Sequence, residues 1–523
     1  MRLLILVTFL VLSSVSWSAP LKKSLPKPKL ILVVVIDQMR ADYLTRFESR
    51  FQSTTVKNPG GFKYLMAQGA YFPMAEYDVL QSMTCPGHAM LLTGAHPTMN
   101  GIVLNEWYDK VSRKTVYCAS DEKDKVSPRN LKTTTVGDEL KNAGYNSKVV
   151  SIALKDRAAV MLGGHRADHA FWFDSKTNQW VTSTYYSADN SVPNWVTTEN
   201  EILKKQIGTE YSWESKTKPT GLSEENSIPF LRQSIIGDAK TLALPYGVEV
   251  TLNLATAAVK NLKLGKGPDT DILTISLSSH DMLGHSFGPN SREMEELTVS
   301  EDQILAQFFG FLKSQTLLKN TLIVLTADHG IAPTNEYAKK AKLESGKIDY
   351  LELFKKVNSY LDKKYGRPKN NQWVASFMAL NFYLDRTTLA EKKLDLSEVE
   401  TEVKKILLEE PGVWFVVTST DYRKGELPPG ELGQQLLRQY IIEQSGDLIL
   451  IPRPFYMESG DNITTHLTGF SYDRTVPLIL AGPGIQKGIY PTRAKILDLA
   501  PTLSFILGIL PPATSYGQIL NIF

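Results

Sequence analysis

The stretch Leu30-Ile31-Leu32-Val33-Val34-Val35-Ile36-Asp37 decides the fold. Seven consecutive aliphatic residues leave no polar face. Such a segment reads as a strand buried on both sides, as in a parallel sheet covered by helices. The run then stops at an acid. The pattern recurs: residues 272–277 precede Asp281 and His285, residues 322–325 precede Asp328 and His329, and His466 lies shortly before the run 476–480. Open α/β sheets bind their ligands at the carboxyl ends of strands. The expected fold class is therefore α/β, with a mostly parallel central sheet flanked by helices and inserted cap regions.

At 523 residues, 42% hydrophobic and 22% charged, the chain has the composition of a globular protein with a large core. A net charge of +3 gives no support for a nucleic-acid or membrane-surface partner. Arg2, an apolar stretch over residues 3–12 and a Ser-rich segment to Ser18 have the three-part layout of a secretory signal peptide. Ten apolar residues are short for a membrane span, so cleavage after Ser18 is expected rather than an uncleaved anchor. Residues 19–29 form a Lys/Pro leader. The expected location is periplasmic or secreted, with no integral membrane segment after cleavage. Export permits a disulfide between Cys85 and Cys118; two isolated thiols fit the sequence equally well.

The core is expected over residues 30–157, 246–336 and 448–523, with insertions at 158–245 and 337–447. The first insertion is aromatic and polar, with Phe171-Trp172-Phe173, Trp180, Tyr185-Tyr186 and Trp195 and no long aliphatic run. It reads as a cap over the sheet. The second holds Lys-rich segments, a strand-like piece at 373–382 and an amphipathic helix near 394–408. Residues 148–154 read as a strand ending in Lys155-Asp156-Arg157. Residues 246–259 and 291–312 read as core helices, and 496–510 as the last helix.

Asp281 and His285 are four apart, which on a helix puts both on one face. Adjacent Asp328 and His329 need a tight turn to point the same way. Three Asp and three His make two three-ligand sets for a divalent cation such as zinc, and paired metals suit phosphoryl chemistry. Thr84 precedes Cys85-Pro86-Gly87-His88-Ala89, with Pro placed as near a helix start. A hydroxyl there is either an N-cap or a nucleophile held in the positive field of the helix terminus. Of the other histidines, His88 reads as packing and His96 as part of a turn. His165 and His169 fall in the first insertion, and His280 is expected to point away from Asp281.

Together, Asp37, Thr84 with Pro-Gly-His-Ala, Asn105 in Asn-Glu-Trp-Tyr-Asp, Asp281-x-x-x-His285, Ala327-Asp328-His329-Gly330 and Thr465-His466 resemble the alkaline phosphatase superfamily. The likeness is to its phosphate-irrepressible (PafA-like) monoesterase branch. It runs over nearly the whole chain, to Asp498-Leu499-Ala500-Pro501-Thr502-Leu503. The resemblance implies two Zn2+, one held by Asp281, His285 and His466, the other by Asp37, Asp328, His329 and the Thr84 oxygen. It implies that Thr84 attacks phosphorus, that a phosphothreonine forms and that this is then hydrolysed. Asn105, Lys155 and Arg157 would bind the phosphate of small-molecule phosphate monoesters. A dianionic monoester matches two cations and an amide better than a diester does.

The alternative is a phosphodiesterase or nucleotide pyrophosphatase of the same superfamily. A sulfatase would need a Cys-x-Pro-x-Arg frame, and here Pro86 follows Cys85 directly. A lipid headgroup transferase would need membrane helices. A non-catalytic metal- or phosphate-binding envelope protein would not need both metal sets together with Thr84.

Overall fold

The computed structural model describes residues 25–523, apart from 56, 216, 224–229 and 371. The signal-peptide segment lies outside the described residues.

Nine strands and six helices build the frame of the site. The strands are β1 (Leu30–Ile36), β2 (Ala70–Glu76), β3 (Val149–Ala153), β4 (His169–Asp174), β5 (Gln179–Val181), β6 (Asp271–Leu277), β7 (Thr321–Thr326), β8 (Thr475–Ala481) and β9 (Gly488–Ile489). The helices are α1 (Thr84–Thr93), α2 (Asp156–Gly163), α3 (Pro245–Asn261), α4 (Ser279–Phe287), α5 (Arg292–Ser314) and α6 (Leu499–Leu507). The strands lie in the order β9-β2-β8-β7-β1-β6-β3-β4-β5, with the short strand Ala494–Lys495 also on β2.

β1 pairs in parallel with both β6 and β7, and the parallel set continues through β3 to β4. All seven β1 residues are buried. Each backbone polar group there is satisfied by the ladder, and each side chain packs under a helical layer. Truncating Ile36 to Ala would cost about 2–5 kcal/mol and loosen the residue that follows it, Asp37. Only the outer pairs β7–β8, β8–β2 and β4–β5 are antiparallel. The sheet is mostly parallel, as its unbroken aliphatic runs require.

Register brings the site together. Ile36 pairs with Leu277, Val35 with Thr326 and Ala153 with Ser276. The segments leaving β1, β3, β6 and β7 therefore start side by side at one edge.

Two segments differ from the sequence reading. Residues 158–245 were expected to lie over the sheet, but β4 and β5 extend the sheet itself, and α2 packs into its core. Aromatic side chains fill the space that aliphatic runs fill elsewhere, with Phe171 and Trp180 buried, so the periodic signal is absent. The remainder of that segment carries a helix, Asn194–Gln206, and the hairpin Glu210–Ser215 with Phe230–Ile235.

The second difference is at 448. The chain does not rejoin the central sheet there. Leu448–Pro452 pairs with Val413–Thr418 and Asn381–Leu384 in a separate four-stranded sheet. An apolar run alone does not say which sheet receives it. The central sheet resumes at β8. The piece at 373–382 is a hairpin, Val374–Met378 with Asn381–Leu384, turned by Ala379 and Leu380 at positive φ. With the helices Tyr350–Tyr365 and Leu396–Leu408, this second sheet encloses its own apolar cluster.

Candidate active site

Asp37 is the first residue after β1 and Asp328 the second after β7. Asp281 and His285 share one face of α4, as their spacing requires. His466 arrives on a loop whose conformation is fixed from two sides. Its Nδ1 hydrogen-bonds the Ser82 carbonyl at 2.7 Å, and Thr468 donates both its N–H (2.9 Å) and its hydroxyl (2.6 Å) to Asp473.

The six ligand candidates converge. His285 Nε2 lies 3.2 Å and His466 Nε2 3.8 Å from Asp281 Oδ1. His329 Nε2 lies 3.5 Å from both Asp37 Oδ1 and Asp328 Oδ2. The rings of His329 and His466 stack with centroids 3.7 Å apart, so the two sets adjoin. Asp37, Asp281 and His329 also fall within one metal-sized cluster, as do Asp281, His285 and His466. Asp281 thus stands between the two sets.

The donor chemistry fits divalent cations. In all three histidines Nδ1 is engaged by a backbone carbonyl: Thr464 for His285, Gly330 for His329, Ser82 for His466. That assigns the ring proton to Nδ1 and leaves the Nε2 lone pair facing the cluster, as in metal-ligating histidines. Asp37 Oδ1, Asp328 Oδ2 and His329 Nε2 are buried with no hydrogen-bond partner. Orphaned buried acceptors are expensive unless a cation satisfies them. Burial, and the neighbouring Asp281 and Asp328 carboxylates, push the Asp37 carboxyl well above its usual range. Burial, with His329 and His285 alongside, pushes His466 well below the usual imidazole range. Crowded carboxylates facing the Nε2 atoms of three imidazoles suit a divalent cation.

Gln38 locks this cluster. Its backbone N–H donates to Asp328 Oδ1 at 3.0 Å, and its side-chain amide donates to Asp281 Oδ1 at 2.6 Å. To do both it adopts φ 72°, uncommon for a non-glycine residue. A Cβ at position 284 would sit 1.8 Å from Gln38 Oε1, so Gly284 leaves room for it. Sequence reasoning passed over Gln38; its place directly after a strand-terminal acid was the available signal.

Thr84 is the first residue of α1 and is buried. Met83 precedes it as the capping position, so the N-cap reading of Thr84 does not hold. Its surroundings tie it to both ligand sets. Ser82, two residues before, holds His466. His88, one turn on, donates Nδ1 to the Thr84 carbonyl at 2.8 Å, reaches Ser276 Oγ at 2.9 Å through Nε2, and lies 3.2 Å from Asp328 Oδ2. His88 is thus more than packing; it braces α1 against Asp328. A Cβ at Gly87 would meet the Asp328 carbonyl at 2.3 Å, so glycine lets α1 approach this closely. His280 turns away from Asp281 to Glu301, 3.0 Å distant, and His96 pairs with Asp78 at 2.9 Å.

Asn105 faces the same helix start: its Oδ1 accepts the Cys85 N–H at 2.8 Å. Cys85 and Cys118 form a disulfide, resolving the two readings the sequence left open. Lys155 places Nζ 2.5 Å from Asp37 Oδ2 and 2.6 Å from Asp281 Oδ2. Burial disfavours the ammonium, but the Asp281 and Asp37 carboxylates outweigh it and raise its pKa. Rather than waiting in an open cradle, Lys155 sits on candidate-ligand carboxylates from both sets. Arg157 leaves the N-terminal turn of α2 beside Tyr117, its Nε buried and without a partner. His165 and His169 lie elsewhere, against Thr133 and Phe171.

Comparison with known proteins agrees with this geometry. Residues 31–469 match the family Type I phosphodiesterase / nucleotide pyrophosphatase. Alkaline phosphatase PafA of Elizabethkingia meningoseptica is 33% identical over 95% of this chain and 94% of its own length. Alkaline phosphatase PhoV of Synechococcus elongatus is 30% identical over 95% of this chain and 93% of its own. The crystal structure of wild-type alkaline phosphatase PafA superposes with a TM-score of 0.85 at 33% identity, covering 95% of this chain and 99% of that one. The chain belongs to the type I phosphodiesterase / nucleotide pyrophosphatase family of the alkaline phosphatase superfamily.

Proposed function

We propose that this protein is an exported alkaline phosphatase, periplasmic or secreted, that hydrolyses small-molecule phosphate monoesters with two Zn2+ and a phosphothreonine intermediate. One observation carries the reading: two Asp/His ligand sets meet at the start of α1, where Thr84 stands. Similarity over nearly the whole chain to proteins named alkaline phosphatases supports the monoesterase activity. That no described helix is long and apolar enough to cross a membrane is compatible with export.

Asp281, His285 and His466 would hold one ion, and Asp37, Asp328, His329 and the Thr84 oxygen the other. When bound, such ions acidify hydroxyl groups and offset phosphate charge. The residues do the rest. The terminus of α1 favours the anionic form of the Thr84 hydroxyl. Thr84 Oγ1 bonds to phosphorus as the bond to the alcohol oxygen breaks, and the alcohol leaves with a proton from water. Water then attacks the phosphothreonine, releasing phosphate and restoring Thr84. Asn105 has its carbonyl oxygen committed to Cys85, so its NH2 is left to donate to a phosphate oxygen. Arg157 offers a guanidinium and Lys155 an ammonium to a group whose oxygens keep their charge through a loose transition state.

The family also includes diesterases, and the cationic pair Lys155 and Arg157 favours the dianionic monoester. The test is the ratio of kcat/KM on 4-nitrophenyl phosphate to that on its methyl diester. A ratio well above one is expected. A ratio below one assigns the protein to the diesterases.

A further inference from the structure

A cavity of about 600 Å³ is lined in part by Lys155, Asp156 and Arg157. It shares Lys155 and Arg157 with the candidate catalytic centre and is lined further by residues of β4 and β5 and of the turn at 123–126. Trp172 and Phe173 form part of its wall, and Lys123, Lys125 and Lys176 stand exposed around it.

The charges around this cavity are unevenly used. Of its acids Asp124 is ion-paired with Arg129, while Asp156 and Asp174 accept only from uncharged donors, so the cations Lys123, Lys125, Lys176 and Arg157 outnumber the two unpaired carboxylates. None of the three lysines forms an ion pair among the described residues. Three uncommitted cations thus surround a space that continues from the phosphate-binding pair. Lys125 is held there at φ 64° by the tight turn between the short strands Ser120–Asp121 and Lys125–Val126.

We infer that this cavity is a leaving-group subsite for monoesters whose alcohol itself carries a second phosphate. The inference rests on the monoesterase reading above. With the reacting phosphate at Thr84, the alcohol extends past Arg157, its body lies along Trp172 and Phe173, and its second phosphate meets the lysines. Such binding acts mainly through KM, because the second anion is equally held before and during reaction.

The test compares kcat/KM for adenosine 3′,5′-bisphosphate with those for adenosine 3′-monophosphate and adenosine 5′-monophosphate. It uses the metal-loaded enzyme and the variant Lys123→Gln/Lys125→Gln/Lys176→Gln. Exposed charge contacts are individually weak, so a preference of roughly tenfold for the bisphosphate is expected from all three together. It should fall to about the statistical twofold in the variant and also at 0.5 M salt. Turnover of 4-nitrophenyl phosphate, which has no second anion, should be unchanged in the variant; this also verifies folding. A bisphosphate preference that is absent in the parent, or that survives in the variant, overturns the inference and leaves the monoesterase reading intact. Failure of the parent to hydrolyse 4-nitrophenyl phosphate overturns the reading itself.

Discussion

Asn105 Oδ1 accepts the backbone N–H of Cys85 at 2.8 Å, and the Asn105 carbonyl accepts that of Cys118 at 2.9 Å. The Cys85–Cys118 disulfide therefore closes a ring around Asn105, with the residue after Thr84 as one of its members. The variant Cys85→Ala/Cys118→Ala should lose about 2–4 kcal/mol of stability in denaturant unfolding, as expected for a bridge closing a loop of this length. It should also lose kcat/KM on monoesters, since the two backbone N–H groups that hold Asn105 are no longer tied to each other. Unchanged kinetics in the variant would show that Asn105 keeps its place without the bridge.

Gln38 makes a second positioning prediction. Gln38→Ala removes the amide that holds Asp281 while leaving all six ligand candidates in place. Zinc content after dialysis against a weak chelator should fall below that of the parent, and added zinc should restore activity. Removing metal from the parent with a strong chelator should abolish turnover and lower the melting temperature, because Asp37, Asp328 and His329 then return to an unsatisfied buried state.

The parallel sheet and five of the six ligand candidates were legible because each depends on a local signal, an aliphatic run and then an acid or a histidine; His466 precedes its run, and only the family resemblance singled it out. What stayed hidden depends on distance in space. Gln38 bonds residues 243 and 290 positions away. His88 looked like helix packing because nothing in its neighbourhood announces Asp328. The pairing of β4 was masked by aromatic residues standing where aliphatic ones do elsewhere. Leu448–Pro452 shows the converse: the strand was visible, but its sheet was not.

Lys155→Ala and Arg157→Ala should separate the two ester classes. Charge-assisted contacts are worth about 1.5–3 kcal/mol. Each substitution should therefore lower kcat/KM for the monoester by roughly ten- to a hundredfold and for the diester by less. Lys155→Ala should in addition change metal retention, since its ammonium sits between Asp37 and Asp281. Equal losses on both esters would remove these residues as the basis of selectivity.

Stability should depend on pH through Asp302, remote from the site. It accepts the N–H groups of Gln52 (2.6 Å) and Phe62 (2.7 Å), yet burial raises its carboxyl to about 6. An unfolded Asp titrates near ~3.9. Between about pH 4 and pH 6 the folded state binds the proton more tightly, so this residue's contribution to stability falls as pH rises and levels off above pH 6. The effect is at most about 3 kcal/mol. Melting temperatures of Asp302→Asn should show a flatter slope than the parent across that window; parallel slopes would contradict the assignment.

The most direct test is to acid-quench the enzyme during turnover of a phosphate monoester and locate the phosphate by peptide mass spectrometry. Phosphate is expected on Thr84, and both it and turnover should be lost in Thr84→Ala with zinc supplied in excess. Phosphate on another residue, or turnover near the parent rate in Thr84→Ala, would contradict that assignment.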